Sequence, residues 1–315
     1  MRAIAILGPN ATRNDLISFQ RADLGVALTQ EQSPQADVDA VLIFGGDGTI
    51  HRHLAKLVET RIPLLAVPGG SGNDFARALG LKSRAHAVAA WEAFCAGRGR
   101  VRQIDVGVIT PLEFLPGGTA STEMPVISGE AGSAPLPIAS TYFCCIGGAG
   151  LDSETNRRVN GWPAFVRAHG GYVLAALREV ATWKPLQISV KVRRPSGHWE
   201  ERISEPATFV VFANSDTYGD GMQMAPQAQL DDGLLDVCFV RRTSKIRILR
   251  FFPTVFSGKH LRLPEVEYFR AAAVRVETER PIDVYADGDY VCKTPVEVTV
   301  VPRALSVIGA FQDRA

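Results

Sequence analysis

Short apolar runs alternate with amphipathic stretches through the N-terminal third of the chain. Val41–Phe44 and Leu64–Val67 are unbroken apolar runs, which is typical of parallel strands that are buried on both faces. A similar run at residues 3–7 predicts the first strand. After the glycines that end the first of these runs, apolar side chains recur at helical spacing, at Ile50, Leu54, Leu57 and Val58. Strands that alternate with helices indicate an α/β domain on a parallel sheet.

From residue 186 onward, apolar and polar side chains alternate. Ile188, Val190 and Val192 are separated by polar residues, which predicts a strand with one buried face. Two helical patterns lie between residues 153 and 184, after a predicted strand at Thr141–Ile146 and a glycine-rich turn. Further strands are predicted at Thr208–Ala213, Leu235–Val240, Ala273–Glu277, Asp283–Ala286 and Val296–Val301. Such a succession indicates an antiparallel β domain that follows the α/β domain.

Composition and charge exclude several classes of protein. The chain has 34 Lys and Arg against 33 Asp and Glu, a net charge of +1, so no global field attracts nucleic acid. No apolar run is long enough to cross a bilayer, and the short apolar stretch after Met1 is interpreted as a strand, not a signal peptide. Five cysteines without Cys-x-x-Cys spacing indicate a reduced, cytoplasmic protein.

Two glycine-rich turns follow the two buried strands. The first is Gly45-Gly46-Asp47-Gly48-Thr49, and the second runs from Pro68 to Asp74. Each lies where a strand ends and a helix begins, so free N–H groups and the positive end of the helix dipole favour a phosphate there. A carboxylate such as Asp47 repels phosphate unless Mg²⁺ lies between them, which indicates a metal–nucleotide. A tight turn without a ligand is the alternative.

The pair of turns, at this separation, resembles the diacylglycerol kinase catalytic-domain family, which includes bacterial lipid kinases and sphingosine kinases. Residues 68–77 read Pro-Gly-Gly-Ser-Gly-Asn-Asp-Phe-Ala-Arg and carry the second half of the match. The resemblance covers about residues 3–310. It implies an N-terminal Rossmann-like α/β nucleotide-binding domain and a C-terminal antiparallel β-sandwich domain, with the active site in the cleft between them.

The domain boundaries follow from the patterns together with this resemblance. Residues 1–106 form the predicted ATP-binding domain, to which residues 303–315 return, and residues 107–302 form the predicted lipid-substrate domain. Residues 110–140 are rich in Pro, Gly, Ser and Thr and lack hydrophobic periodicity, so they are predicted to be a flexible insertion.

The resemblance also implies which residues contact ATP. They are Asn10, Thr12, Thr29, Gly45, Gly46, Asp47, Gly48, Thr49, Ile50, His51 and Ser71. Asp47 would orient Mg²⁺–ATP, and the glycines, Thr49 and Ser71 would hold phosphates. Two segments differ from the family. Residues 8–12 read Gly-Pro-Asn-Ala-Thr where the family has Asn-Pro-x-Ser-Gly, and residues 50–52 read Ile-His-Arg where it commonly has x-Asn-Glu.

Three aspartates are the candidate catalytic residues. Asp287-Gly288-Asp289 resembles the family's Asp-Gly-Glu, so Asp289 would be the general base, shorter by one methylene than the usual Glu. Asp47 would act through the metal–nucleotide. Asp105 falls at the family's Asp-x-Gly and would support the metal or the base; a strand Asp that pairs with Lys or Arg is the alternative.

A structural Mg²⁺ site is implied in the C-terminal domain. In bacterial members of the family, the segment that resembles residues 228–236 holds Mg²⁺ with one Asp and two backbone carbonyls. Carried over, the ligands are Asp232 and the carbonyls of Gln229 and Leu234. Oxygen ligands suit this hard cation. An Asp-rich turn between strands is the alternative.

The implied reaction is in-line transfer of the γ-phosphoryl group of ATP to a lipid hydroxyl, with Mg²⁺ neutralising charge. The acceptor would be diacylglycerol-like or sphingoid- or ceramide-like. Two alternatives stay open: an NAD kinase-like or sugar-phosphate kinase, since Gly-Gly-Asp-Gly-Thr occurs there too, and an inactive nucleotide- or lipid-binding family member, which Arg52 and Asp289 would favour.

A lipid substrate in the inner leaflet requires membrane contact, and residues 241–263 mix basic and aromatic side chains more densely than any other stretch. The segment is predicted to contact anionic headgroups through Arg241, Arg242 and Lys245; a core-packed helix with a solvated basic edge is the alternative. The expected protein is cytoplasmic and transiently peripheral on the membrane. A homodimer is compatible with the sequence.

Overall fold

The computed structural model describes residues 1–20, 25–35, 37–70, 72–112, 140–162, 171–219 and 221–310. The chain divides into two compact units: Met1–Asp105 with the C-terminal residues from Arg303 onward, and Val106–Pro302. The predicted fold class is confirmed, because the first unit is α/β and the second is dominated by antiparallel strands. Most of the predicted insertion, residues 113–139, lies outside the described residues.

The strands are numbered in chain order. They are β1 (Arg2–Leu7), β2 (Ala27–Glu31), β3 (Ala40–Gly45), β4 (Leu64–Pro68), β5 (Val101–Pro111), β6 (Thr141–Phe143), β7 (Ile146–Gly150), β8 (Leu186–Arg193), β9 (Trp199–Ala213), β10 (Leu235–Arg241), β11 (Val266–Ala271), β12 (Ala273–Thr278), β13 (Asp283–Ala286), β14 (Asp289–Lys293) and β15 (Val296–Ile308).

Six α-helices lie in the described part of the chain. They are α1 (Asp47–Thr60), α2 (Asp74–Ala78), α3 (Arg84–Cys95), α4 (Leu151–Asn160), α5 (Tyr172–Thr182) and α6 (Lys245–Phe251). A 3₁₀ helix covers Arg13–Phe19. In these described segments, no helix combines the length and the apolar character needed to cross a membrane.

The first unit is built on a parallel sheet in the order β2-β1-β3-β4, with the end of β15 against β4. All six residues of β3 are buried, because helices cover both faces of such a sheet. Helix α1 buries Ile50, Leu54 and Leu57, the stripe that the sequence predicted. The carboxyl ends of β3 and β4 therefore lie side by side, each leading into a helix.

The second unit is an antiparallel assembly organised by the long strand β9. Its first half pairs with β8, and its second half pairs with β7 and with β10. The order continues through β13 to β14 on one side, and through β12 to β15 on the other. Phe143, Phe212 and Phe239 are fully buried in the core of this unit.

The strand predicted over Thr141–Ile146 is wrong in one respect. It is interrupted at Cys144 and Cys145, and the glycine-rich stretch after it is strand β7, not a turn. The glycines serve packing: a Cβ on Gly147 would lie 2.3 Å from the ring of Phe212. Two strands were also missed, β11 and β14, and β14 pairs with β13 alone among the described strands.

Candidate active site

In the first unit, the two glycine-rich turns pack backbone against backbone. A Cβ on Gly70 would lie 2.4 Å from the Cα of Gly46, and one on Gly46 would lie 2.9 Å from the Cα of Gly70. The N–H of Gly69 donates to the carbonyl of Gly45 at 3.1 Å. Only glycine allows this approach, so the two turns form one surface of exposed backbone.

Asn73 fixes the second turn from within. Its Oδ1 accepts hydrogen bonds from the N–H groups of Gly69 at 3.0 Å and Gly70 at 2.8 Å, and its Nδ2 donates to the carbonyl of Gly70 at 2.7 Å. Its φ is +56°, a left-handed conformation that Asn tolerates better than most residues. Ser71, a predicted phosphate contact, lies outside the described residues.

Asp47 joins the first turn to the helix that follows the second. Its carboxylate accepts from the N–H groups of Asp74 at 3.1 Å and Phe75 at 3.0 Å, at the start of α2. That helix has no cap from its own Asn73 side chain, so Asp47 supplies one. The half-buried carboxylate lies at the N-terminus of α1, where the predicted metal–nucleotide would bind.

Thr49 is buried beneath the first turn. A Cβ on Gly45 would lie 2.6 Å from its Oγ1, and one on Gly8 would lie 2.8 Å away. The N–H of Gly8 donates to the carbonyl of Phe44 at 2.7 Å, which holds the residue after β1 close to the end of β3. A side chain at position 8 would therefore clash with Thr49 and with the carbonyl of Phe44.

A cavity of about 450 Å³ lies at the carboxyl ends of β1 and β2. Its lining consists of Ile6, Leu7, Gly8, Pro9, Gln30, Glu31, Gln32, Thr49, Arg52 and His53. Arg52 is held by a hydrogen bond from its Nε to the carbonyl of Gly48 at 3.1 Å. Burial, and then the charge of Arg52, lower the pKa of His53, so this imidazole is neutral at neutral pH. Sequence reasoning missed Glu31, whose position at the end of a parallel strand was the available signal.

The remaining predicted ATP contacts have varied surroundings. Asn10 and Thr29 are exposed, and His51 is half-buried. Thr12 starts the 3₁₀ helix, and its N–H donates to Asp15 at 2.7 Å. Ile50 is only 1% exposed, so its side chain belongs to the core and only its backbone can reach a nucleotide.

Asp105 is buried where the chain leaves the first unit. Its Oδ1 accepts from the N–H of Arg303 at 2.8 Å, and Arg303 has a φ of +51°. The carboxylate thus fixes the point at which the chain returns to this unit. One of its partners is thus the backbone N–H of an Arg and not the guanidinium.

In the second unit, Asp287 anchors the Asp-Gly-Asp turn. Its buried carboxylate accepts from the N–H groups of Cys144 at 2.7 Å, Cys145 at 2.9 Å and Ile146 at 3.2 Å. At the break between β6 and β7, the backbone directs these three N–H groups toward one acceptor. The thiol of Cys144 also donates to this carboxylate at 3.3 Å, so the cluster of two thiols and one carboxylate has no free oxygen for a metal.

Asp289 stands at the end of that anchored turn, as the first residue of β14. Its carboxylate is half-buried and has no hydrogen-bond or ion-pair partner among the residues that the structure describes. Asn160, at the end of α4, donates to the carbonyl of Gly288 at 2.7 Å. The two residues that precede Asp289 are thus both held by hydrogen bonds.

The predicted Mg²⁺ ligand Asp232 already has two partners. Its Oδ1 accepts from the N–H of Leu234 at 3.0 Å, and its Oδ2 accepts from Arg270. Arg270 also lies 3.8 Å from Asp236, whose carboxyl is fully buried and has its pKa raised by burial. A guanidinium therefore neutralises this turn, and the arrangement does not fit a cation bound through Asp232 with the carbonyls of Gln229 and Leu234.

We expect this turn to be stabilised by Arg270 and not by a divalent cation. Chelator should leave the melting temperature of the wild type unchanged, whereas Arg270→Ala should lower the free energy of unfolding by about 1–2 kcal/mol, since two carboxylates lose their counter-charge. Arg194→Ala removes an exposed pair with Glu200 and should leave the melting temperature close to that of the wild type. A fall in melting temperature on addition of chelator would show that the turn binds a divalent cation.

The chain is similar to known proteins in both sequence and structure. Residues 2–109 match the family model of the diacylglycerol kinase catalytic domain, and residues 146–309 match that of the YegS C-terminal NAD kinase beta sandwich-like domain. A diacylglycerol kinase of Mycobacterium tuberculosis is 34% identical over 274 residues, which are 86% of this chain and 76% of that protein. A probable lipid kinase YegS-like of Chromohalobacter salexigens is 27% identical over 290 residues, 89% of this chain and 79% of that protein.

Solved structures share the fold. A putative diacylglycerol kinase from Bacillus anthracis superposes with a TM-score of 0.68 at 21% identity, covering 98% of this chain and 95% of that chain. Yeast NADH kinase complexed with NADH superposes with a TM-score of 0.53 at 9% identity, covering 99% and 84%.

Proposed function

The chain belongs to the diacylglycerol kinase catalytic-domain family, and on this premise we propose that it transfers the γ-phosphoryl group of ATP to a lipid hydroxyl. A kinase is what the family implies; ATP, Mg²⁺ and the lipid acceptor are the parts proposed here. The observation that carries the proposal is Asp47, a carboxylate that bridges two contacting glycine turns at the N-terminus of a 14-residue helix.

The phosphates of ATP would lie on these turns. The first N–H groups of α1 lack helical acceptors, and with the helix dipole they stabilise negative charge. The absent Cβ atoms at Gly46 and Gly70 let the two turns contact each other, so the phosphates would meet both backbones at one place. Mg²⁺, which enters with ATP as part of the substrate, supplies charge neutralisation, and Asp47 would orient the complex.

The nucleoside would occupy the 450 Å³ cavity beside the first turn. Glu31 ends β2, the strand next to β1 in the parallel sheet, where an acidic residue binds ribose hydroxyls in dinucleotide-binding folds. Gln35 donates to one Glu31 oxygen at 3.0 Å, which leaves the other for a hydroxyl. Arg52 brings positive charge to the cavity near the phosphates, and this gives a role to the departure at position 52.

Asp289 would accept the proton of the lipid hydroxyl as it attacks. Phosphoryl transfer depends on positioning and charge more than on covalent chemistry, so an unpaired carboxylate on a rigid turn suits this step. The carboxylate would then be restored by releasing the proton to water. Asp289 forms no ion pair among the described residues, and this also argues against the hypothesis of an inactive family member.

A nicotinamide-nucleotide kinase is the second candidate, since yeast NADH kinase shares the fold. The likeness is limited to the fold at 9% identity. Identity of 34% to a diacylglycerol kinase over most of the chain favours the lipid acceptor.

The test supplies labelled ATP and Mg²⁺ with vesicles of diacylglycerol, a bacterial lipid extract, or NAD. We expect label in the lipid fraction alone, and a fall of about 100-fold or more for Asp289→Asn. Asp283→Asn, on the adjacent strand of the same hairpin, should retain activity within about threefold of wild type. Label in NAD would establish the second candidate, and full activity of Asp289→Asn would remove the assigned base.

A further inference from the structure

The second unit carries a face with exposed apolar side chains on adjacent helices. Helices α5 and α6 pack against each other, and the Nζ of Lys245 joins them through the carbonyl of Ala181. The exposed side chains are Leu174 (57% exposed), Leu177 (38%), Ile246 (73%), Leu249 (45%) and, on the 3₁₀ helix that follows α6, Phe256 (42%). We call these five residues the apolar ridge.

An ordinary amphipathic helix has one apolar side, which is buried, whereas the helices of the ridge have a second apolar side. Helix α6 already buries one apolar side through Ile248 and Phe251, so Ile246 and Leu249 form a second apolar side that faces outward. The same holds for α5, where Ala176 and Val180 are buried while Leu174 and Leu177 are exposed. Large side chains at i and i+3 on two contacting helices form a continuous stripe, which is typical of an interaction surface.

Basic side chains surround the ridge, although the whole chain has a net charge of only +1. Segments 172–184 and 241–263 contain one acidic residue, Glu179, which is buried against Arg158. Their basic residues are Arg178, Lys184, Arg241, Arg242, Lys245, Arg247, Arg250, Lys259 and Arg262. The positive charge of the protein is thus concentrated where its apolar side chains are exposed.

Ion pairs separate the basic residues into two groups. Arg241 binds Glu205 and Glu267, and Arg247 binds Glu265, so these two are neutralised within the protein. Arg178, Arg242 and Arg250 are exposed and form no ion pair among the described residues, and the same holds for Lys184, Lys245, Lys259 and Arg262. Of the three predicted headgroup contacts, Arg241 is therefore neutralised by two glutamates, Lys245 donates to the carbonyl of Ala181, and Arg242 keeps its charge at the surface.

We propose that the apolar ridge, with Arg178, Arg242 and Arg250 around it, docks the protein on an anionic lipid leaflet. Leucine, isoleucine and phenylalanine side chains would enter the acyl boundary while the arginines meet phosphate-bearing headgroups. A second copy of the chain is a poorer occupant, because a symmetric contact would oppose arginine to arginine. The proposal rests on the proposed function only in that a lipid substrate gives docking a purpose.

Vesicle co-sedimentation without ATP tests the surface independently of catalysis. Wild type should bind vesicles of phosphatidylglycerol and phosphatidylcholine, bind phosphatidylcholine alone at least tenfold more weakly, and lose affinity as the Debye length falls from about 10 Å at 0.1 M salt to about 3 Å at 1 M. Failure of wild type to bind vesicles of either composition would overturn the proposal.

Matched variants locate the contact. Ile246→Ser and the double change Arg242→Ser with Arg250→Ser should each weaken binding at least tenfold. Ile17→Ser removes an equally exposed isoleucine (65% exposed) from the first unit, and Lys56→Ser with Lys82→Ser removes the same charge there; both should bind like wild type. Equal binding by the ridge variants and these controls would overturn the assignment, provided that melting curves show all of them folded.

A second readout separates this proposal from the proposed function. Kinase activity toward a lipid dispersed in detergent micelles does not require a leaflet, so ridge variants should keep it within about twofold of wild type while losing activity on vesicles. If wild type binds anionic vesicles through the ridge but phosphorylates no lipid, the docking surface stands and the proposed function fails.

Discussion

Replacing Asp287 by Ala is expected to lower the free energy of unfolding of the second unit by about 4 kcal/mol. The carboxylate is 8% exposed and accepts from three consecutive N–H groups, those of Cys144, Cys145 and Ile146. A buried donor without an acceptor costs about 1–3 kcal/mol, and hydrogen bonds to a charged acceptor are the stronger kind. Urea unfolding monitored by hydrogen exchange at residues 144–146 reports this loss directly.

Two further substitutions in the same turn test whether the hydrogen bonds of Asp287 cause this loss of stability. Asp287→Asn keeps one acceptor oxygen and should lose about half as much stability. Asp289→Asn changes a carboxylate two residues away that has no protein partner among the described residues, so it should melt within about a degree of wild type. If Asp287→Ala unfolds at the urea concentration of the wild type, the three hydrogen bonds contribute nothing and the anchor does not exist.

Asp287 is also expected to act on turnover as a positioning residue. It fixes the turn that presents Asp289, and an error of about 1 Å in a reacting group can cost about a hundredfold in rate. In Asp287→Asn we expect a lower kcat with the KM for ATP unchanged, since the predicted ATP site is in the first unit. A purely structural role would instead reduce the amount of folded enzyme and leave the kcat of each folded molecule equal to that of the wild type.

The glycine turns were predictable because their signals are local. An apolar strand, three glycines and a helical stripe occupy consecutive residues in 41–58, and the structure follows that pattern. The same holds for strand β13 and for the two helices of residues 151–182, whose periodicity decides their type.

The contacts that give these turns their shape were not predictable, because they join distant residues. Asp47 meets Phe75 across 28 positions, Asp287 meets Cys144 across 143, and Asp105 meets Arg303 across 198. At the break in the strand, the N–H of Cys144 donates to Asp287, which is distant in the sequence. Residues 141–146 alone therefore do not predict the break. Among the described strands, β14 pairs with β13 alone, and a short edge strand has a weak sequence pattern.

Charged residues were the least predictable part of the site. In the sequence, Arg241 is a candidate for contact with a membrane, but in the fold it forms ion pairs with Glu205 and Glu267. Asp232 is likewise a candidate for binding a cation, but in the fold it forms an ion pair with Arg270. Charge in a sequence is visible, but its neutralisation depends on strands that approach from elsewhere in the chain. The exposure of an apolar residue such as Ile246 is equally hard to predict from the sequence, since burial is decided by packing.

Asp47→Asn is expected to reduce turnover by about 100- to 1,000-fold at saturating ATP, with a smaller loss of stability. The amide oxygen can still accept from one of the two N–H groups at Asp74 and Phe75, but the amide nitrogen would face the other as a second donor, at a cost of about 1–2 kcal/mol. The larger effect comes from charge, because a neutral side chain no longer attracts the metal that accompanies the phosphates.

Nucleotide affinity isolates that charge from the effect on the helix cap. In wild type, Mg²⁺ should strengthen ATP binding, whereas in Asp47→Asn the affinities with and without Mg²⁺ should converge. Asp39→Asn is the matched control, since Asp39 also accepts a backbone hydrogen bond, from Arg2 at 2.7 Å, but precedes β3 at its opposite end. That control should retain both turnover and the Mg²⁺ effect. Wild-type turnover by Asp47→Asn at saturating ATP would show that the carboxylate serves only to cap α2.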